Sequence, residues 1–207
     1  MYKASAFTKK EVVELIVSWI VISLCFSIYW VWYEIMLFAI LFSASLIAVG
    51  LGFLFHELMH RSVARKFGCF AEYRMWLWAL ALALILSFAS RGEFVFAAPG
   101  AVYITPMTLS PYVSAKQMQK IYGLISLSGP IANMILAFVF YLMSNIQVNW
   151  FLTVVSKMGF TVNLWLAAFN LIPLPPFDGS KVIKWNPVIW SVIAIPTWVV
   201  LVLTRIM

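Results

Sequence analysis

The chain predicts an all-α polytopic membrane protein, and three features carry that expectation. Apolar residues make up 64% of the 207 and charged residues only 10%. The mean hydropathy is +0.99. The apolar residues are also gathered in runs long enough to cross a hydrocarbon core of about 30 Å. A continuous apolar excess of this kind excludes a disordered chain, a collagen and a coiled coil. With Cys25 and Cys69 as the only cysteines, it also excludes a disulfide-stapled module. The net charge of +7 does not point to nucleic acid, because the 14 Lys and Arg lie in short clusters between apolar runs, where membrane topology puts them. The lipid bilayer is therefore the first expected partner. The expected organisation is one membrane-embedded domain over residues 1–207.

Five runs have spanning length, over residues 12–32, 35–60, 121–144, 149–172 and 187–204; a sixth, Met75 to Ser90, is short for a crossing. Trp and Tyr gather near the ends of these runs (Tyr29, Trp30, Trp32, Tyr33, Trp76, Trp78, Trp150, Trp185, Trp190), as rings that prefer the headgroup level should. Lys9 and Lys10 precede an apolar stretch too long for a signal-peptide core. Residues 61–74, 91–120 and 173–186 read as the sizeable loops.

Basic residues orient the runs. Lys3, Lys9 and Lys10 precede the first, and Arg61, Arg65, Lys66 and Arg74 follow the second. Lys116 and Lys120, then Lys181 and Lys184, flank the later pair. Residues 1–11, 61–74, 111–120 and 173–186 are thus expected on the cytoplasmic side of a cell membrane. The chain must then leave and return on one side between Arg74 and Lys116, which makes the region near 75–110 a re-entrant or strand-containing insertion. A turn near Arg91-Gly92-Glu93 is expected, with an extended return through Glu93–Ile104. That return is either a strand edge for an incoming peptide or a plug in the bundle.

The chemistry concentrates in one motif. The two histidines of the chain are four apart in His56-Glu57-Leu58-Met59-His60. On a helix, i and i+4 share a face about 6 Å apart along the axis, so both imidazoles can reach one Zn²⁺ while Glu57 lies close enough to act as base toward a water. Ionisable groups inside an apolar run are costly to place and usually functional. A hydrolytic zinc wants a third protein ligand. Glu11, Glu14 and Glu34 read as interfacial charges at span ends. Asp178, the only aspartate, lies on the same expected side as His60, although Asp178-Gly179 after prolines is also a turn signal.

His56-Glu57-x-x-His60, Ser128-Gly129-Pro130-Ile131-Ala132-Asn133 and Asn170-x-x-Pro173-x-Pro175-x-x-Asp178-Gly179 together closely resemble the site-2 protease family of intramembrane zinc metalloproteases. The resemblance covers about residues 35–185, a catalytic core in the short form without an inserted PDZ domain. It implies one zinc per chain held by His56, His60 and Asp178, with Glu57 as catalytic base. It also implies a transmembrane protein substrate cleaved in regulated intramembrane proteolysis. Phe177 stands where many relatives carry Leu. Gly129 and Pro130 read equally as a helix-packing device. Asn133, and more weakly Asn170, could offer an amide to the substrate backbone or to developing oxyanion charge. Lys157 reads as a snorkelling residue, and Cys25, Cys69 and Asn163 as packing groups. Two rivals remain. A prenyl-protein-type membrane metalloprotease would need a downstream Glu ligand in a setting absent here, and a zinc transporter would need ligands on several helices. An inactive helix-binding relative is disfavoured by Glu57.

Overall fold

The computed structural model describes residues 7–106, 114–146 and 149–206. Lys3, residues 107–113, residues 147–148 and the side chain of Trp30 lie outside the described residues. The elements in order are α1 (Lys9–Tyr33), α2 (Ile35–Lys66), β1 (Cys69–Met75), α3 (Leu77–Ala89), β2 (Gly100–Pro106), α4 (Ala115–Ser144), α5 (Trp150–Asn170), α6 (Gly179–Trp185) and α7 (Pro187–Ile206). Five of them, α1, α2, α4, α5 and α7, are long and apolar enough to cross a membrane, as the hydropathy of the sequence requires.

Helix α2 is the axis of the molecule. Its 32 residues extend about 48 Å, well beyond one hydrocarbon core, and α1, α4 and α5 all pack on it. Close approach is achieved by small residues on α2. Ala44, Ala48 and Ala64 are fully buried there, and Trp19 of α1 lies against Gly50 while its indole N–H donates to the Leu46 carbonyl at 2.8 Å. The main core cluster joins Ile22, Val49, Phe53, Tyr73, Leu166 and Phe169, which come from α1, α2, β1 and α5.

The stretch expected to leave and return does so with a strand at each end. Apolar α3 has 13 residues, spans about 20 Å and ends in a turn in which Arg91 and Gly92 have φ of 54° and 84°. Gly92 also meets the Tyr29 backbone so closely that a Cβ would not fit. The return begins as irregular backbone over residues 93–99 and becomes strand only from Gly100. All three expected loops hold regular elements among the described residues, 91–120 holding β2 and the start of α4. Residues 61–74 hold the last turn of α2 and strand β1, and residues 173–186 hold α6. Nothing local in the sequence reveals β1, because its partner lies some thirty residues downstream and pairing supplies the stability.

The two strands are antiparallel, with Cys69 opposite Pro106 and Met75 opposite Gly100. Trp76 N–H donates to Pro99 O at 2.8 Å, which fixes the phase of the ladder. Residues 70, 72 and 74 therefore exchange hydrogen bonds with 105, 103 and 101, while the amides of Tyr73 and Met75 point away from β2. On the other strand, the backbone groups of Gly100, Val102 and Ile104 point out from its far edge. Val102 and Ile104 pack against Ala64, Cys69 and Ile125, seating the sheet on α2 and α4.

Candidate metal centre

His56, Glu57 and His60 lie in the last third of α2, and all three are buried. Asp178 arrives from the other half of the chain, at the N-terminus of α6 behind the proline-rich bend 173–176. The distance from His56 Nε2 to His60 Nε2 is 3.0 Å. Asp178 Oδ2 lies 3.3 Å from His56 Nε2 and 3.0 Å from His60 Nε2. Among the described residues these three form the one His/Cys/Asp/Glu group able to share a metal ion.

The protonation of each imidazole is set from behind. His60 Nδ1 faces the Ile125 carbonyl at 2.8 Å, and a carbonyl can only accept, so Nδ1 carries the proton. His56 Nδ1 faces Asn133 Oδ1 at 2.6 Å. The Asn133 amide is oriented in turn, since its Nδ2 donates to the Gly52 carbonyl at 3.0 Å and to Asn163 Oδ1 at 2.9 Å. Asn163 Nδ2 donates to Gly159 O at 2.8 Å, closing the chain of bonds on α5. Both Nε2 atoms therefore present lone pairs inward. Two lone pairs and an anionic oxygen converging on one point call for a cation. Ligand atoms about 2.0–2.1 Å from a tetrahedral zinc are roughly 3.3 Å apart, and the observed edges of 3.0–3.3 Å match that spacing. The donor set fits zinc.

Glu57 lines the same cavity as His56, His60 and Asp178, and its buried Oε2 has no hydrogen-bond partner among the described residues. Space at the centre depends on Gly129. A Cβ there would fall 2.5 Å from His60 Nε2 and 2.7 Å from His56 Cε1, so the small residue before Pro130 clears room for the imidazoles. The other cavity walls include Gly100, Val102 and Ile104 of β2, together with Asn170 and Lys181.

Asn133 is fully buried, with its oxygen and both amide hydrogens engaged behind His56. Asn170 does line the cavity, while its amide donates to Leu166 O at 3.0 Å. Asn163, read from sequence as packing, is the residue that reasoning missed; a single Asn in an apolar run signals a hydrogen bond without naming its partner. Glu11 and Glu14, at the start of α1, are likewise buried among protein groups. Cys25 and Cys69 are buried free thiols, whereas Lys157 is exposed on the bundle surface.

Fold and site together define a polytopic membrane protein with a buried group of two histidines and one aspartate that could hold one zinc ion. The chain is 44% identical over 191 residues, 92% of each sequence, to "Putative zinc metalloprotease MJ0611" of Methanocaldococcus jannaschii. It is 28% identical over 143 residues, 64% of each sequence, to "Putative zinc metalloprotease YwhC" of Bacillus subtilis. No family model matches the chain, and no solved structure does. The chain belongs to the zinc metalloprotease family of the Methanocaldococcus protein.

Proposed function

We propose that this protein is an intramembrane zinc metalloprotease of the site-2 type. It hydrolyses a peptide bond in or beside the transmembrane segment of a membrane-protein substrate, as regulated intramembrane proteolysis requires. The observation that carries the reading is a buried zinc-type centre on a spanning helix, walled on one side by a strand with an open backbone edge. His56, His60 and Asp178 are the ligands. Zinc held there supplies Lewis acidity toward a water and a peptide carbonyl. Glu57 takes the proton of the attacking water and returns it to the leaving amine. Asn133 holds His56 from behind, a role its three hydrogen bonds support better than contact with substrate. Asn170, on the cavity wall, remains the residue to contact substrate backbone.

A carbonyl tied into a helix cannot readily be attacked, so the scissile segment is drawn out as a strand alongside β2. The outward N–H and C=O groups of Gly100, Val102 and Ile104 satisfy its backbone beside Glu57. The clustering of Lys9, Lys10, Arg65, Lys66, Lys116, Lys181 and Lys184 toward the helix ends near the centre supports a cytoplasmic active-site face and N-terminus. A transporter is disfavoured, because among the described residues no second ligand group marks a path.

The test is cleavage of a model single-span substrate by the detergent-solubilised protein. Glu57→Gln should lose at least a hundredfold in turnover, within the range general-base catalysis supplies, while keeping one zinc per chain. Turnover by Glu57→Gln equal to that of the unmodified protein would overturn the assignment.

A further inference from the structure

Strand β1 is gripped from both sides, by β2 on one edge and by two carboxylates of α1 on the other. Glu11 Oε1 accepts the Tyr73 N–H at 3.1 Å, and Glu14 Oε2 accepts the Met75 N–H at 3.1 Å. Outward amides on a strand recur about every 6.8 Å, and residues three apart on a helix rise about 4.5 Å. Two flexible carboxylates can make up that difference and stand where the carbonyls of a neighbouring strand would be. Glu11 is 1% exposed and Glu14 7% exposed, so neither is an incidental surface charge. Glu11 also pairs with Arg61, the residue after His60, and Arg61 stacks over Phe7 at 3.8 Å. Among the described residues, Glu14 has long ionic contacts, 3.8 Å to Lys10 and 3.7 Å to Arg74. Thr8 Oγ1 adds a bond to Glu72 Oε1 at 2.8 Å.

The register makes this grip consequential. Tyr73 lies opposite Val102 and Met75 opposite Gly100, and both Gly100 and Val102 wall the metal cavity. The two amides held by α1 therefore belong to the residues that back two of the β2 positions walling the cavity with Glu57.

We propose that Glu11 and Glu14 are positioning residues, which act as a surrogate strand on β1 and thereby set the distance between the open edge of β2 and the metal centre. The proposal rests on the reading that substrate adds as a strand to β2. Glu11 ties that edge to α2 through Arg61, and Glu14 holds it by accepting the Met75 N–H, with Lys10 and Arg74 at ionic distance. Helix α1 is then part of the substrate-binding apparatus, although it contributes no atom to the cavity wall described above.

The test compares three probes on the full-length zinc-loaded protein in detergent: acetohydroxamate, an extended peptidyl hydroxamate, and the same peptide N-methylated at the amides that would face β2. On unmodified protein the peptidyl probe should bind at least tenfold tighter than its methylated form. Equal binding would show that strand addition itself is wrong, and the proposal would fall with it. Given that preference, Glu14→Ala should weaken the peptidyl probe about tenfold, the scale of one lost hydrogen bond, and leave acetohydroxamate affinity and zinc content unchanged. Glu14→Gln, which still offers an oxygen to Met75, should stay within about twofold of unmodified protein. Unchanged peptidyl affinity in Glu14→Ala would overturn the proposal while leaving strand addition standing. So would a loss shared by acetohydroxamate, or a Glu14→Gln variant as weak as Glu14→Ala. If Glu14→Ala does not accumulate, Glu14→Ser gives the same reading, since its hydroxyl cannot reach the strand.

Discussion

Replacing Asn133 by leucine separates two roles that an asparagine beside a zinc centre can play. The substitution nearly conserves volume but removes the acceptor of His56 Nδ1 and both donors to Gly52 and Asn163. At a site that is 0% exposed, water cannot take over those bonds. The stranded His56 N–H and Asn163 oxygen cost about 1–3 kcal/mol each, partly offset by better apolar packing, so stability should fall by about 2–4 kcal/mol. Freed from its partner, His56 loses both its ring orientation and the preference for the Nδ1–H form. Removing such a support typically lowers metal affinity about 10–100-fold, equivalent to about 1.4–2.7 kcal/mol. The assay is competition for zinc against a chromophoric chelator, with turnover of a single-span substrate followed as free zinc is raised. Asn133→Leu should need 10–100-fold more free zinc for half-occupancy, with most of its turnover recovered at saturation. Asn133→Asp, which keeps an acceptor toward His56, should bind zinc nearly as the unmodified protein does. Unchanged zinc affinity with turnover depressed at saturating zinc would refute this reasoning and return Asn133 to the oxyanion role.

Three further outcomes are expected. Gly129→Ala sets a methyl 2.5 Å from His60 Nε2, an overpacking worth about 1–3 kcal/mol, and should reduce zinc occupancy and turnover together while the helical circular dichroism is kept. Asp178→Ala should leave well under one zinc per chain by elemental analysis, since two imidazoles alone do not complete the site; full stoichiometry would remove Asp178 from the ligand set. Val102→Pro deletes an amide on the open edge of β2, whereas Ala101→Pro deletes one bonded to β1. The first should raise KM at least fivefold with the fold retained, and the second should also lower the melting temperature.

Much of the fold is determined by features that act over short stretches of chain. Spanning helices follow from runs of apolar residues, because the bilayer penalises every unsatisfied backbone group and a helix satisfies its own. The pairing of His56 with His60 and the closeness of Glu57 follow from 3.6 residues per turn. The placement of basic residues leads to the expectation of a strand-containing insertion near 75–110, and β1 and β2 pair there. What the sequence could not determine depends on contacts between residues far apart. Asp178 meets His56 across more than a hundred residues, and its Asp-Gly turn signal reads the same whether or not a metal is near. Strand β1 has too little local signal to declare itself before β2 pairs with it. Burial of Glu11 and Glu14 is decided by the same sheet: carboxylates at a helix start look solvated until a strand with unpaired amides is laid against them. Asn163 and Asn133 are two isolated polar residues on separate helices until packing turns them into one chain of hydrogen bonds ending at His56. Periodicity and hydropathy are properties of neighbours in sequence, whereas hydrogen-bond partners and metal ligands are properties of neighbours in space, and only the folded chain brings the second kind together.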